Sequence, residues 1–289
     1  MPDGILIVDK PGDWTSMDVC ARLRGVFHER RVGHAGTLDP MATGVLPVFI
    51  GQATKAVSFA ENGRKEYRAA LRLGVETDTQ DCTGHILREC PAETGEAVVR
   101  EALEAFRGEI MQIPPMYSAV RQNGKKLYEL ARKGIEVERA PRPVTIYELE
   151  LLGRRPDGDW ELRVLCSKGT YIRTLCHDIG AALGCGGALS ALRRTMAAGF
   201  TLDEAVTLEQ ALERGAELLR PADSLFRQYP AHRIGSAEQE RRCRCGNPIP
   251  ARGQEEGALC RVYGRDGTFL ALSRCERGML VSIKNFFGG

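Results

Sequence analysis

The chain contains one carboxylate, Asp39, in a setting that suits covalent chemistry. It lies within residues 31–55, "RVGHAGTLDPMATGVLPVFIGQATK", whose glycines allow a ligand to approach the backbone and whose prolines restrict the loop. An aspartate that is held in place can add to a substrate as a nucleophile and later leave. The alternative is structural, because Asp before Pro commonly starts a turn in which the carboxylate caps backbone N–H groups.

Other familiar catalytic motifs are missing from the sequence. It contains no H-E-x-x-H, G-x-S-x-G or G-x-x-x-x-G-K-[ST], which disfavours metal, acyl-transfer and nucleotide-phosphate chemistry. A C-x-C and two single cysteines crowd the C-terminal region, namely Cys243, Cys245, Cys260 and Cys275. They do not match the paired C-x-x-C of zinc sites, so we expect no metal there.

The segments around the candidate residues predict strands and helices in irregular order. Thr15 and Asp18 form a capping-box pattern, so a short helix should follow them. The segment "KEYRAALRLG" alternates as a half-buried strand with Tyr67 on its apolar face. A second strand, "WELRVLC", leads through a turn into a helical pattern, which places Tyr171 and Arg173 at a helix start. Because strands and helices intermingle without regular alternation, the sequence predicts an α+β fold.

A second, smaller domain is expected at the C-terminal end. The residues that follow "LLRPADSLFRQYPAHRI" form short, glycine-punctuated, strand-like runs, with a hairpin turn at residues 264–267. We therefore expect a larger domain, 1–228, and a small β-rich domain, 229–289. A C-terminal extension of the first core is the alternative.

The composition indicates an ordinary globular protein with locally concentrated positive charge. The 289 residues are 43% hydrophobic, no apolar run approaches the roughly 18 residues of a membrane helix, and ten scattered cysteines without a secretory segment favour reduced thiols in the cytoplasm. The net charge is only +2, yet residues 121–142 carry seven basic and three acidic side chains, and residues 227–252 carry six and two. Such segments suggest a polyanionic partner, with solvated basic surface as the alternative.

Five long stretches cover most of residues 4–194. In chain order they are "GILIVDKPGDWTS", "GHAGTLDPMATGVLPV", "KEYRAALRLGVETDTQDCTG", "IPPMYSAVRQNGKKLYELARKGIEV", and "CSKGTYIRTLCHDIG" with "LRR". They resemble, in the same order, the N-terminal motif, catalytic motif, second motif, substrate-gripping insertion (about residues 112–146) and third motif of the TruB family of bacterial tRNA pseudouridine-55 synthases. The C-terminal region resembles the small RNA-binding PUA domain.

The resemblance implies that one uridine in the T loop of tRNA is isomerised to pseudouridine. The catalytic domain would be built on a mixed, largely antiparallel sheet. Asp39 falls on the family's catalytic carboxylate, which adds either to the base or to C1′ of the sugar. Tyr67 would stack on the flipped base and serve in proton transfer, and Arg173 would pair with Asp39 and fix its direction. No cofactor is expected, because the reaction involves neither a redox change nor hydrolysis.

Further residues are implied to bind the substrate. Tyr171 and Leu192 fall on positions that line the uracil pocket, and Asp81 falls near the same site, where capping of a turn is an equal alternative. His34 would occupy the space left by extruded bases. Lys10, in the first motif, is grouped with these residues and is expected mainly to support the catalytic loop.

Two basic regions are expected to meet RNA phosphates. In the insertion, Asn123 and Gly124 predict a turn, and Tyr117 and Tyr128 can stack on bases, although core packing is an alternative for Tyr128. The insertion also offers four cations, Lys125, Lys126, Arg132 and Lys133. In the C-terminal domain the expected phosphate contacts come from arginines that include Arg241 and Arg242.

The implied partner is the T arm of tRNA, with no membrane and no obligate protein partner, and we expect a monomer. One alternative is a non-catalytic tRNA-binding or tRNA-folding protein on the same scaffold, which would have lost Asp39, Tyr67 or Arg173. The other is a pseudouridine synthase that acts on ribosomal RNA within a protein complex. The chain contains all three side chains and has no long basic tails, which argues against both.

Overall fold

The computed structural model describes residues 2–122 and 124–287. The strands, in chain order, are β1 Gly4–Lys10, β2 Val32–His34, β3 Thr43–Ile50, β4 Lys65–Leu73, β5 Val75–Thr77, β6 Ile86–Glu89, β7 Gly108–Gln112, β8 Arg121–Gln122, β9 Lys125–Lys126, β10 Arg142–Arg154, β11 Trp160–Cys166, β12 Gly187–Ala197, β13 Phe200–Thr201, β14 Val206–Thr207, β15 Ala231–Arg233, β16 Ile249–Pro250, β17 Leu259–Tyr263, β18 Phe269–Glu276 and β19 Met279–Asn285. The helices are α1 Ser16–Phe27, α2 Val57–Glu61, α3 Glu96–Leu103, α4 Leu127–Ala131, α5 Ile172–Ala182, α6 Leu208–Arg214 and α7 Ala237–Arg244. In the part of the chain that is described, no helix combines the length and apolar character that a bilayer crossing requires.

The larger sheet carries the residues of interest. Its strand order is β14-β1-β3-β12-β4-β11-β10-β7, with β2 beside β3 and β13 beside β12. Strands β1 and β14 are parallel, as are β3 and β12, whereas β4 pairs antiparallel with both β11 and β12. The predicted α+β fold with a mixed, largely antiparallel sheet is confirmed.

Local sequence patterns account for the elements that frame the site. Helix α1 begins after Thr15, whose side chain accepts from the backbone N–H of Asp18 while the Asp18 carboxylate accepts from Thr15, as the capping box requires. Strand β4 buries Tyr67, and β11 leads into α5 as the change from alternating to helical spacing predicted. The middle of the sheet is buried. A shift of one residue in strand pairing would turn the buried side chains to the opposite face, so burial fixes the register of β4 and β11.

The C-terminal residues form a separate five-stranded sheet of order β15-β17-β18-β19-β16. Strands β17 and β18 are an antiparallel hairpin, which confirms the turn expected at residues 264–267. One apolar cluster lies within this sheet, and a second joins it to the larger sheet. In the second cluster, Phe226 lies 5.8 Å from Phe286 and 5.4 Å from Phe59 between ring centroids.

Candidate active site

Most of the residues predicted for catalysis or substrate binding meet at a cleft of about 1120 Å³ beside the larger sheet. Its walls come from the loop between β2 and β3, strands β4 and β12, the turn after β5, the insertion, and the start of α5. The residues predicted for catalysis or substrate binding that line it are His34, Asp39, Tyr67, Asp81, Tyr171, Arg173 and Leu192. The chain therefore brings together side chains that are separated by more than a hundred residues in sequence.

An ion pair between Asp39 and Arg173 occupies the cleft. Arg173 Nε donates to Asp39 Oδ2 at 2.9 Å and Arg173 Nη2 donates to Oδ1 at 3.2 Å, which makes the contact bidentate. Arg173 is buried, whereas the Asp39 side chain keeps 34% of its surface exposed. The carboxylate is thus fixed in direction by a charge-assisted fork and is still accessible to a ligand.

The remaining donors of Arg173 hold it to two other walls of the cleft. Its Nη1 donates to the carbonyl of Thr79 at 3.0 Å and its Nη2 to the carbonyl of Tyr117 at 2.9 Å. Because these acceptors lie on separate segments, the guanidinium has little freedom to turn away from Asp39. A rigidly oriented cation is what a nucleophilic carboxylate needs beside it.

Gln112 at the end of β7 fixes the start of α5. This buried amide accepts from the Tyr171 N–H at 2.8 Å and donates to the Tyr171 carbonyl at 3.0 Å. The two bonds clamp the residue before Ile172, where α5 begins, and so set the direction of Arg173. Sequence reasoning missed Gln112, because a single polar residue at a strand end carries no signal of its distant partner.

The glycines of the catalytic loop, residues 35–42 together with Gly44, make room for Arg194, whose backbone passes Gly44 and whose side chain passes Gly36. Gly44 has φ 105°, and a Cβ there would lie 2.1 Å from the Arg194 carbonyl oxygen. Gly36 has φ 73°, and a Cβ there would lie 3.3 Å from Arg194 Nη1. The frame around Asp39 is therefore glycine-rich because β12 approaches it closely.

Lys10 lies beneath the catalytic loop and outside the cleft wall. Its buried ammonium donates to the carbonyls of Pro11, Trp14 and Pro40 at 2.7, 2.6 and 3.1 Å. Burial lowers the pKa of Lys10 to about 8, although the carboxylates of Asp13 and Asp39 oppose this shift. These contacts join β1 to Pro40, the residue after Asp39. A role for Lys10 in supporting the catalytic loop therefore fits the structure better than a contact with RNA.

Tyr67 is buried in β4 with its ring at the cleft. Burial raises the pKa of Tyr67 to about 12, although the cation of Arg194 acts in the opposite direction. The side chain is therefore a neutral phenol at neutral pH in the free protein. A flat ring on a central strand is a suitable surface for stacking of a base.

Asp81 caps its own turn and also lies near the ion pair. Its Oδ1 accepts from the Thr79 hydroxyl at 2.8 Å and from the Thr83 N–H at 3.0 Å, while Oδ2 lies 3.8 Å from Arg173 Nε. Both interpretations of Asp81 from sequence therefore find a matching contact. The turn also delivers the Thr79 carbonyl that holds Arg173.

His34, Tyr171 and Leu192 line other parts of the cleft. Burial lowers the pKa of His34, and the nearby Arg194 cation adds to this, so the imidazole is neutral near pH 7. Its Nδ1 is buried and has no hydrogen-bond partner among the described residues. Burial raises the pKa of Tyr171, and Leu192 is almost fully buried on β12. The surroundings suit a mostly apolar, planar ligand.

The insertion places aromatic and cationic side chains along one rim of the cleft. Tyr117, Lys126, Tyr128 and Arg132 line the rim, and the Lys126 Nζ and the Arg132 guanidinium lie 5.3 and 5.4 Å from the ring centroid of Tyr128. The other two predicted cations, Lys125 and Lys133, are exposed on the insertion and do not line the cleft. The predicted turn at Asn123 and Gly124 falls partly outside the described residues, because these exclude Asn123.

The two C-terminal arginines that are predicted to contact RNA phosphates do not line the cleft. Arg241 and Arg242 are exposed in the last turn of α7. In the same region Cys243, Cys260 and Cys275 are buried, and burial raises the pKa of Cys260 to about 11. Among residues 2–122 and 124–287, no three His, Cys, Asp or Glu side chains are grouped so as to hold a metal ion.

Comparison with known proteins assigns the chain to a family. Residues 24–172 match the family model "TruB family pseudouridylate synthase (N terminal domain)", and residues 173–227 match "tRNA pseudouridylate synthase B C-terminal domain". The tRNA pseudouridine synthase B of Alkaliphilus oremlandii is 51% identical over 81% of this chain and 77% of its own length. That of Aromatoleum aromaticum is 46% identical over 98% of this chain and 92% of its own length.

A solved structure agrees with the sequence relatives. A chain in the crystal structure of a Cbf5-Nop10-Gar1 complex is similar with a TM-score of 0.74 and 26% identity, covering 98% of this chain and 85% of that chain. The fold and the cleft define a pseudouridine synthase. The chain belongs to the TruB family of pseudouridylate synthases.

Proposed function

We propose that this protein isomerises uridine 55 in the T loop of tRNA to pseudouridine, with Asp39 as the nucleophile. The observation that carries the proposal is the bidentate Asp39–Arg173 pair, with the carboxylate open to the cleft and Tyr67 beside it. The tRNA pseudouridine synthase B relatives support tRNA as the substrate.

The reaction breaks the N-glycosidic bond, turns the base, and joins C5 of the base to C1′ of the sugar. Asp39 serves it by adding either to the base or to C1′ and leaving afterwards. Arg173 holds the carboxylate in the direction of attack through two hydrogen bonds. Tyr67, Leu192 and Tyr171 all line the cleft. We assign Tyr67 to stacking on the uracil and to the transfer of the C5 proton, and Leu192 and Tyr171 to confining the ring. None of these steps calls for a cofactor or a metal ion.

The uridine reaches the cleft by flipping out of the T loop. Extruding a base costs a few kcal/mol, which contacts in the emptied space offset. His34, with its neutral and partly unpaired imidazole, is suited to stack in that space. Asp81 lies near the uracil site, where its turn supplies the Thr79 carbonyl that holds Arg173.

Phosphate contacts come from the insertion and from the C-terminal sheet. Lys126 and Arg132 stand at the rim of the cleft, and Lys125 and Lys133 extend the basic surface around it. We propose that residues 229–289 form a PUA-like RNA-binding domain in which Arg241 and Arg242 meet tRNA outside the T arm. We also propose that the protein acts in the cytoplasm as a monomer, without an obligate protein partner.

A second candidate function is modification of another RNA with the help of protein partners. The structural neighbour that supports it comes from a complex with Nop10 and Gar1, but it is 26% identical to this chain, against 51% for a tRNA pseudouridine synthase B. The tRNA substrate is therefore preferred.

The test is to incubate the purified protein alone with an unmodified T-arm hairpin and to map pseudouridine by chemical labelling. Pseudouridine at the position of uridine 55 is expected without any added protein or metal. A hairpin in which that uridine is replaced by cytidine is the matched control. Activity only on a ribosomal RNA fragment, or only with an added protein, would contradict the proposal.

A further inference from the structure

Arg194 is a buried cation to which the proposed reaction assigns no role. Its side chain is fully buried, Nε donates to the Val45 carbonyl at 2.7 Å, and Nη2 donates to the Gly36 carbonyl at 2.9 Å. Its Nη1 is also buried and has no hydrogen-bond partner among the described residues. Backbone carbonyls are neutral, so these two bonds leave the positive charge without a matching negative one. Buried unpaired donors and cations are costly and call for an explanation.

The strand register places Arg194 beside Tyr67. In the pairing of β12 with β4, Arg194 is directly opposite Tyr67, so the two side chains emerge on the same face, about 5 Å apart at Cβ. On the other side of β12, Arg194 pairs with Gly44 of β3, and its Nη2 donates to the carbonyl of Gly36 in the catalytic loop. The guanidinium therefore lies under the catalytic loop next to the phenol.

Among the charged and titratable groups that act on the pKa of Tyr67, Arg194 is the one that favours the phenolate form. Burial is the main cause that raises the pKa of Tyr67, Arg194 acts to lower it, and Cys166 from β11 and Asp39 from the catalytic loop add smaller effects that raise it. Burial lowers the pKa of Lys65 and of His34, and the Arg194 cation adds to the shift of each. The cation that stabilises negative charge on the Tyr67 oxygen is therefore Arg194, which lies on β12.

We propose that Arg194 is a positioning residue for Tyr67: its unpaired Nη1 donates to the phenolic oxygen once a base occupies the cleft, and its charge stabilises the phenolate form. This proposal rests on the proposed function, because it assigns Tyr67 to the departure of the C5 proton. A phenol that accepts a bond from Nη1 directs its own O–H away from Arg194 and toward the base. The phenol gives its proton to N1 of the turned base, and the phenolate that this leaves takes the proton from C5, so one proton moves from C5 to N1 and Tyr67 ends as a phenol. The cation lowers the cost of the negative charge that the oxygen carries between the two transfers.

The test compares Arg194→Gln, Arg194→Lys and Arg193→Gln with the parent protein. Arg193 is the matched control, because it is the next residue on β12 and its exposed guanidinium binds the Asp9 carboxylate at 2.7 Å. The proteins are labelled with fluorotyrosine, which lowers the pKa of a phenol, and are followed by fluorine NMR against pH. The sequence contains seven tyrosines, and the Tyr67 resonance is the one that Tyr67→Phe removes.

We expect Arg194→Gln to raise the apparent pKa of Tyr67 by about one unit or more and to leave the other tyrosines unchanged. Single-turnover pseudouridine formation on a saturating T-arm hairpin should slow by about 30-fold or more, with the Kd for the hairpin within about threefold. Arg194→Lys should restore part of both effects, and Arg193→Gln should show neither.

A folded Arg194→Gln protein whose Tyr67 titrates as in the parent, or whose single-turnover rate equals that of the parent, would overturn the assignment. If circular dichroism shows that Arg194→Gln does not fold, Arg194→Lys decides by the same criteria, because a change at Tyr67 supports the assignment and no change overturns it. Failure of the proposed function has a different signature, since the parent protein itself would then make no pseudouridine while the Tyr67 resonance still reports the effect of Arg194.

Discussion

In the proposed reaction, one side chain of the cleft reacts and several others fix its position. Asp39 keeps part of its surface accessible, while Arg173 is buried and bonded to two carbonyls besides the carboxylate. Such a buried cation is stable only because its charge is paired, since breaking a buried pair costs about 3–5 kcal/mol. The pair therefore links the stability of the site to the orientation of its nucleophile.

Asp39→Asn should abolish pseudouridine formation and leave tRNA binding nearly intact. The amide removes the nucleophilic charge, whereas phosphate contacts elsewhere supply most of the affinity, so the rate should fall by about 100-fold or more with a Kd within about threefold. Single-turnover assays and filter binding measure the two quantities. Asp203→Asn, an exposed aspartate outside the cleft, is the control. A variant that retained even about a tenth of the parent rate would show that Asp39 is not the nucleophile.

Elements of secondary structure place these side chains through register and through the turns that connect strands. The capping box of α1, the alternation of β4 and the change of period from β11 to α5 were all predictable, because each depends on neighbours in sequence. The clamp from Gln112 to Tyr171 and the position of Arg194 beside Tyr67 were not, because they depend on pairings between distant strands and loops. The sequence therefore predicted that Asp39, Tyr67 and Arg173 share one site, and it missed most of the contacts that support them.

Gly44→Ala should destabilise the protein far more than an alanine at an open glycine of similar backbone conformation. The left-handed φ alone costs about 1–2 kcal/mol, and the approach of Cβ to the Arg194 carbonyl oxygen adds about 1–3 kcal/mol of overpacking. Gly158→Ala is the control, since Gly158 has φ 89° and no atom within 4 Å of its Cβ position. Urea denaturation gives both free energies of unfolding. Equal losses in the two variants would show that β12 does not press on the catalytic loop.

Lys126 and Arg132 should contribute to RNA affinity rather than to the chemical step. Removing one phosphate-binding cation should reduce the salt slope of log affinity by about 0.7–0.9, so Lys126→Ala with Arg132→Ala should weaken and flatten binding of the T-arm hairpin. The single-turnover rate at saturation should stay within about threefold, because neither side chain touches Asp39. Arg100→Ala on α3 is the control, and Arg100 forms an exposed pair with Glu96. Unchanged affinity with a lower saturated rate would instead assign these residues to the chemistry.

The whole molecule joins its two sheets through an apolar interface. Phe269 of β18 and Phe286, which follows β19, stack at 4.9 Å, and Phe226 lies 6.1 Å from Phe269 and 5.4 Å from Phe59 of helix α2. Tyr263 adds a hydrogen bond to Asp223 at 2.5 Å. Removing residues 229–289 would expose this cluster, so point substitutions test the role of the smaller sheet better than truncation does.

Arg241→Gln combined with Arg242→Gln should weaken binding of full-length tRNA and leave binding of a T-arm hairpin unchanged. Both side chains lie exposed in the last turn of α7, outside the cleft, so contacts from them require RNA beyond the T arm. The salt slope for full-length tRNA should fall by about 0.7–0.9 for each arginine that binds a phosphate, whereas the hairpin should give one slope for both proteins.

The saturated single-turnover rate should not change, because the substitutions leave the Asp39–Arg173 pair intact. Arg155→Gln, an exposed arginine of the β10–β11 turn paired with Asp157, controls for loss of surface charge. Equal affinity and equal salt slope of the α7 variant and the parent for full-length tRNA would show that these two arginines do not contact RNA.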